Sequence, residues 1–133
     1  EPVMSIVARV SMLKNVRKGT SISYGRKYFA PCDTSIATVP IGYGDGYSRM
    51  LTGKADVIIR GRRYPVAGAV SMDHIMVDVG PDCEVAVGDE VTIMGSSGGE
   101  SISVYDIAER LGTIPYEVVC MVADRVPRVV VGE

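Results

Sequence analysis

Short runs of β-branched and aliphatic residues, each cut off by glycine, proline or a polar turn, constrain the fold of this chain most. Val3 to Met12, Thr34 to Ile41, Ala55 to Arg60, Tyr64 to Met72, Ile75 to Val79 and Glu90 to Met94 read as strands. Ser21 to Tyr24 begins a further extended segment. Between them stand Lys14 to Gly19, Pro31-Cys32-Asp33, the glycine-tyrosine run from Gly42 to Gly46, Gly61-Arg62-Arg63, Pro81-Asp82 and the loop Gly95 to Gly99. These are rich in the residues that turns require. Pro40 has no amide hydrogen for a ladder, so the Thr34 to Ile41 strand should lie at an edge or end there. Ala55 to Arg60 and Tyr64 to Met72 pair as a hairpin. Strands at this spacing predict a mainly β fold, a small barrel or sandwich of short strands.

The pattern changes near the C-terminus. Ser103 opens a helix, with Asp106 placed for a capping box. Val104, Ile107, Ala108 and Leu111 share one face, and Gly112 stops the helix. Thr113 to Val122 is a second helix or, because Val118 and Val119 are β-branched, a buried strand. Pro115 is tolerated in a first helical turn. Arg125-Val-Pro-Arg128 is a turn and Val129 to Val131 a closing strand.

A chain of 133 residues, 47% of them hydrophobic, is expected to be one domain with its own core. The net charge is −2 with both signs interspersed, which disfavours nucleic acid as a partner. No apolar run is long enough to span a membrane. The chain does not begin with Met and opens on a strand-like pattern, as a piece of a longer protein does. Cys32, Cys83 and Cys120 are far apart, and His74 does not complete a zinc set with them. They read as reduced cytoplasmic thiols packed as small hydrophobes, with no metal site.

The stretch Ser21 to Arg49 holds four of the seven tyrosines. Tyr24 precedes Gly25, Arg26 and Lys27, while Tyr43 and Tyr47 are interleaved with Gly42, Gly44 and Gly46. Tyrosines on such turns either present hydroxyls to a cleft or cap the edge of a β-core. Gly42-Tyr-Gly-Asp-Gly46 is not a phosphate loop, since it lacks the lysine and the following helix. Ser71-Met72-Asp73 ends a strand with an acid, which is ordinary by composition. A tyrosine base needs a nearby cation, because its ordinary pKa is about 10 and desolvation raises it further. On a strand Arg26 shares the face of Tyr24 and Lys27 does not.

Ser23-Tyr24-Gly25, Ile41-Gly-Tyr43-Gly-Asp45-Gly-Tyr47 with Arg49, Gly68-Ala-Val-Ser-Met72-Asp73, Tyr116-Glu117 and Arg125-Val-Pro-Arg128 occur in this order along nearly the whole chain. In these motifs the chain resembles the C-terminal domain of the alanine racemase family, which uses pyridoxal phosphate. The resemblance implies that residues 1–133 are the β domain of a cytoplasmic homodimeric enzyme whose cofactor-binding N-terminal β/α-barrel, with its lysine, is absent here. It implies interconversion of L- and D-alanine, a supply of peptidoglycan precursor, by two bases on opposite faces. Tyr24 matches the tyrosine base, Tyr43 a tyrosine of the substrate entryway, and Met72 the residue whose amide meets the substrate carboxylate. Tyr116 matches a tyrosine that contacts the cofactor phosphate. Tyr24 and Met72 would serve the partner's cofactor and Tyr116 that of its own chain. Ala69 and His74 stand where the family often has arginine and glutamine, and a serine racemase would look similar. The alternative from another class is a non-catalytic β-barrel binding or dimerisation module. A dimerising domain should expose an apolar patch.

Overall fold

The computed structural model describes residues 4–23, 25 and 28–131. Eight strands and two helices follow in order: β1 (Ile6–Arg9), β2 (Met12–Val16), β3 (Thr34–Val39), β4 (Asp56–Ile59), β5 (Arg62–Ala67), β6 (Ile75–Gly80), β7 (Glu90–Ser97), β8 (Glu100–Ile102), α1 (Val104–Leu111) and α2 (Pro115–Cys120). The strands form one antiparallel path, β1-β7-β4-β5-β6-β3-β2, with β8 added to β7. Both ends of that path belong to one chain segment. The Val10 amide still donates to Asp89 O at 2.9 Å on the β7 side, and the Ser11 amide donates to Thr38 O at 2.9 Å on the β3 side. The sheet therefore curls, barrel-like, until its two edge strands, β1 and β2, meet through one continuous segment rather than through a ladder between them.

Sequence patterning explains where the core sits. Val57 and Ile59 on β4, Ala37 and Val39 on β3, Ile75 and Val77 on β6 and Val91 on β7 are wholly removed from solvent. At roughly 1.5–3 kcal/mol per large aliphatic side chain, these dominate folding. The β4–β5 hairpin turns on Arg60 and Gly61, at φ 53° and 76°. Two successive left-handed residues match strand twist in a tight hairpin. Helix α1 carries the capping box: the Asp106 amide donates to Ser103 Oγ at 3.0 Å, and the Ser103 amide donates to Asp106 Oδ2 at 2.8 Å. The bond from the Ser103 amide holds the Asp106 carboxyl below the usual carboxylate range. Gly112, left-handed at φ 76°, ends α1, and Pro115 stands at the start of α2. Ile107 and Ala108 of α1 and Val118 of α2 are buried against the barrel.

The structure corrects several expectations. Val3 to Met12 is not one strand, because β1 ends at Arg9 and the chain changes neighbours before β2. Lys14 and Asn15 belong to β2 rather than to a turn; among the described residues β2 bonds only β3, so its outer side tolerates polar residues. The strand at Thr34 does end before Pro40, but it is central, flanked by β2 and β6. Arg62 and Arg63 lie in β5, which stops at Ala67 before left-handed Gly68. Gly95 to Gly99 is no loop: β7 runs to Ser97, and only Gly98 and Gly99 turn the chain into β8. Residues 113–122 contain helix α2, not a buried strand. Val129 to Val131 form no strand and are exposed. Cys32 and Cys120 are exposed rather than packed, and only Cys83 leans on the core.

Candidate active site

At Gly42 and Gly46 backbone of other segments passes too close for a side chain, and at Gly44 the Arg125 guanidinium lies against the chain. A Cβ on Gly42 would lie 2.1 Å from Ser71 O and 2.5 Å from Met72 O. On Gly44 it would lie 2.4 Å from Arg125 Nη2, and on Gly46 2.2 Å from Met121 O. Only Gly46, at φ 107°, also requires the left-handed region. The spacing thus brings three segments together: the 3-10 turn Tyr43–Asp45, the turn through Met72, and the segment after α2.

Hydrogen bonds seal these contacts. The Tyr43 amide donates to Ser71 O at 2.9 Å and the Gly44 amide to Met72 O at 2.8 Å. Asp45 takes the Gly42 amide on Oδ2 at 2.9 Å and Arg125 Nε on Oδ1 at 2.7 Å. Arg125 Nη2 also donates to Asp73 Oδ1 at 3.0 Å and approaches Met72 O at 3.5 Å. The two carboxylates, Asp45 foremost, raise the guanidinium above its already high pKa, so it is always charged. Arg128 shapes its own segment by donating to Ala123 O and Val126 O, both at 2.8 Å.

Tyr43 and Met72 are thereby neighbours on one exposed face, at 42% and 51% exposure. The Arg49 guanidinium lies over the Tyr43 ring, 5.7 Å from its centroid, within cation–π range. Because a trans peptide points its N–H opposite to its C=O, the bond from Tyr43 to Ser71 O turns the Met72 amide away from the loop. Among the described residues nothing accepts from that amide.

Residues 21–23 and 28–29 pack beside Ala67 and Ala69, on the segment that leads to Met72. Ile22 is buried against Ile36 and Ala67. Ser23, left-handed at φ 66°, donates its hydroxyl to Ala69 O at 3.1 Å. A non-glycine residue held there is strained by about 1–3 kcal/mol, as occurs where function demands it. Tyr28 donates to Asp78 Oδ2 at 2.6 Å. Burial, then this hydrogen bond, push its phenol pKa up. Tyr24, Arg26 and Lys27 lie outside the described residues. Tyr47 is no surface tyrosine but 7% exposed in the core, and its phenol pKa is raised by burial.

Tyr116 stands in the first turn of α2, 82% exposed. No hydrogen bond among the described residues links it to Tyr43 or Met72; it is joined to them only through the chain that follows α2 and reaches Asp45 with the Ala123 amide at 3.0 Å. Asp73 is more than a strand-ending acid, since it is one of the Arg125 acceptors. Sequence reasoning named Asp45 and Arg125 as motif marks without a role, because 80 positions separate the pair. A cleft of about 730 Å³ lined by Arg60, Arg62, Tyr64 and the loop after β6 shares no residue with this site. Among the described residues no group of His, Cys, Asp or Glu is placed to hold a metal ion, and no helix is long and apolar enough to cross a membrane.

The resemblance read from the motifs holds in comparisons of sequence and of fold. The alanine racemase of Citrifermentans bemidjiense is 54% identical over 99% of this chain and 35% of its own length. That of Desulfovibrio desulfuricans is 52% identical over 98% of the chain and 34% of its length. The chain thus spans about a third of the curated relatives it matches. The crystal structure of alanine racemase from Bacillus anthracis with bound L-Ala-P superposes with a TM-score of 0.91 at 43% identity, over 97% of this chain and 33% of that one. The family model described as alanine racemase, C-terminal domain, matches residues 3–130, which include the glycine-spaced turn, the Met72 turn and the Arg125 segment. The chain belongs to the alanine racemase C-terminal domain family.

Proposed function

We propose that this chain is the C-terminal β domain, residues 1–133, of a pyridoxal-phosphate-dependent racemase that interconverts L- and D-alanine. The observation that carries the reading is the union of Tyr43 and Met72 on one exposed face, within a fold and motif set matched to alanine racemases. The relative with bound L-Ala-P supports an alanine-shaped ligand. The chain covers only about a third of such relatives, so it supplies part of a site whose remainder, including the cofactor lysine, lies in an N-terminal β/α-barrel. A cytoplasmic homodimer, with Tyr24 and Met72 facing the partner's cofactor, completes the arrangement. Exposed apolar side chains along α2 and the C-terminal segment, among them Ile114, Val119 and Val130, support a docked state.

The donors present fit such a share. The Met72 amide is directed away from its own loop and suits a carboxylate oxygen. Tyr116 presents an exposed phenol, a neutral donor suited to a phosphate oxygen. Tyr43, held under Arg49, flanks the approach. Pyridoxal phosphate, when bound, supplies the electron sink that acidifies the α-proton. Tyr24 takes or returns that proton on the face its opposing base does not reach, and so stands on a separate domain.

The test follows α-proton exchange of L- and D-alanine in heavy water with the full-length protein, wild type and Tyr24→Phe. The mutant should lose exchange mainly from L-alanine. Equal loss from both enantiomers, or none, removes Tyr24 as one of two opposed bases. Exchange of serine in preference to alanine moves the assignment to a serine racemase. The 133-residue chain alone should not turn over.

A further inference from the structure

The Arg125 cluster has features that stability does not explain. Its guanidinium side chain is 46% exposed and the Asp73 side chain 69% exposed. The Asp73 pair, so open to water, adds little to folding, while the Asp45 carboxylate, 16% exposed, is the sheltered partner. Glycine stands at position 44, where a Cβ would lie 2.4 Å from Nη2 and 3.0 Å from Met72 O, so the guanidinium fork rests directly against the turn backbone. That fork joins Asp45 of the glycine-spaced turn to the Met72–Asp73 peptide and to Asp73 itself.

The two peptides flanking Met72 are both held by this turn. Tyr43 N–H fixes Ser71 O on one side, and Gly44 N–H fixes Met72 O on the other. The turn is in its own right closed by Asp45, whose second oxygen takes the Gly42 amide. Arg125 touches the turn and the Met72 segment at once, so it sets their relative position.

We propose that Arg125 is a positioning residue: its fork bonds lock the Met72 turn against the Tyr43–Asp45 turn, so that the Met72 amide is aimed at an incoming amino-acid carboxylate. The inference rests on the racemase reading given above. A lysine retains the charge but presents no planar fork, and so does not replace it.

The experiment uses the full-length protein with its cofactor, comparing wild type with Arg125→Lys, Arg125→Gln and Asp73→Asn. Two quantities are read: KM and kcat for alanine, and the inhibition constant of propionate, which has the carboxylate but not the amine. Loss of a charge-assisted hydrogen-bond fork should raise KM and the propionate constant about tenfold in both Arg125 variants. The kcat should move by less than about threefold, as expected when ground and transition states lose the same contact. Asp73→Asn should raise both constants by a smaller step, about threefold, and carries the test if an Arg125 variant fails to fold. Arg125 variants that match wild type within about twofold in both constants, whatever their melting temperature, overturn the inference alone. Rescue of both constants by lysine overturns it too, since charge rather than the fork would then suffice. A wild type that neither racemises alanine nor binds propionate overturns the functional reading and the inference together.

Discussion

Two carboxylate anchors in this molecule gather distant segments, one inside the barrel wall and one on its surface. Asp78, 8% exposed, takes Tyr28 Oη at 2.6 Å, Thr34 Oγ1 at 2.7 Å and the Gly80 amide at 3.1 Å. It ties the Ser21–Phe29 arm to β3 and β6 through neutral donors. Asp45, whose side chain is 16% exposed, and Asp73, 69% exposed, share one half-exposed guanidinium and tie the Met72 turn to the segment after α2. The same device serves two ends. In the buried anchor an unmade hydrogen bond is costly, so its failure is felt as instability. In the surface anchor water replaces the Asp73 bond, so its failure is felt more as misplacement than as instability.

The sharpest way to break this comparison is Asp78→Ala. It leaves the Thr34 hydroxyl and Gly80 amide without their acceptor, and at about 1–3 kcal/mol per orphaned group the loss should reach about 3–5 kcal/mol in denaturant unfolding. A loss below about 1 kcal/mol would mean that water reaches the cluster and that the two anchors do not differ in kind.

Gly42→Ala probes the surface end. The added methyl would meet Ser71 O at 2.1 Å, so backbone must shift, at about 1–3 kcal/mol, and KM for alanine should rise with it. The control is Gly53→Ala, where nothing lies within 4 Å and only the left-handed φ of 76° is strained. That variant should lose about 1 kcal/mol and leave KM unchanged. Matching kinetics in the two variants would remove the special role of Gly42.

The smallest effect is alkaline. Burial raises the phenol pKa of both Tyr28 and Tyr47. A group whose folded pKa lies above its unfolded value of about 10 contributes stability that is complete below that pH and is lost as pH rises towards the folded value. The stability these phenols contribute should therefore be flat to about pH 10 and fall above it, and less steeply in Tyr28→Phe. An unchanged slope in that variant would show that burial and Asp78 do not hold the Tyr28 phenol protonated.

The legible parts of this chain were local. The Ser103–Asp106 capping box, the buried face of α1 and its stop at Gly112 depend on neighbours within two helical turns, and they are present as read. Strand β2 was misread because an edge facing water needs no apolar alternation. Val129 to Val131 have strong strand propensity, yet Val130 is 98% exposed, since propensity forms no ladder without a partner. The site was legible only as motifs. Tyr43, Met72 and Tyr116 could be named from them, but the reason for three glycines could not, because each makes room for a segment far away in sequence.

What the sequence by itself determined is the punctuation of short strands, helix α1 and membership of the family. These rest on backbone preferences and on residue patterns that repeat within a few positions. What only the tertiary structure decided is that one bent segment supplies both edge strands of the sheet, and that Arg125 meets Asp45, Met72 and Asp73. Such contacts are chosen by the curvature of the whole barrel and by the space its glycines leave, and no local periodicity encodes either.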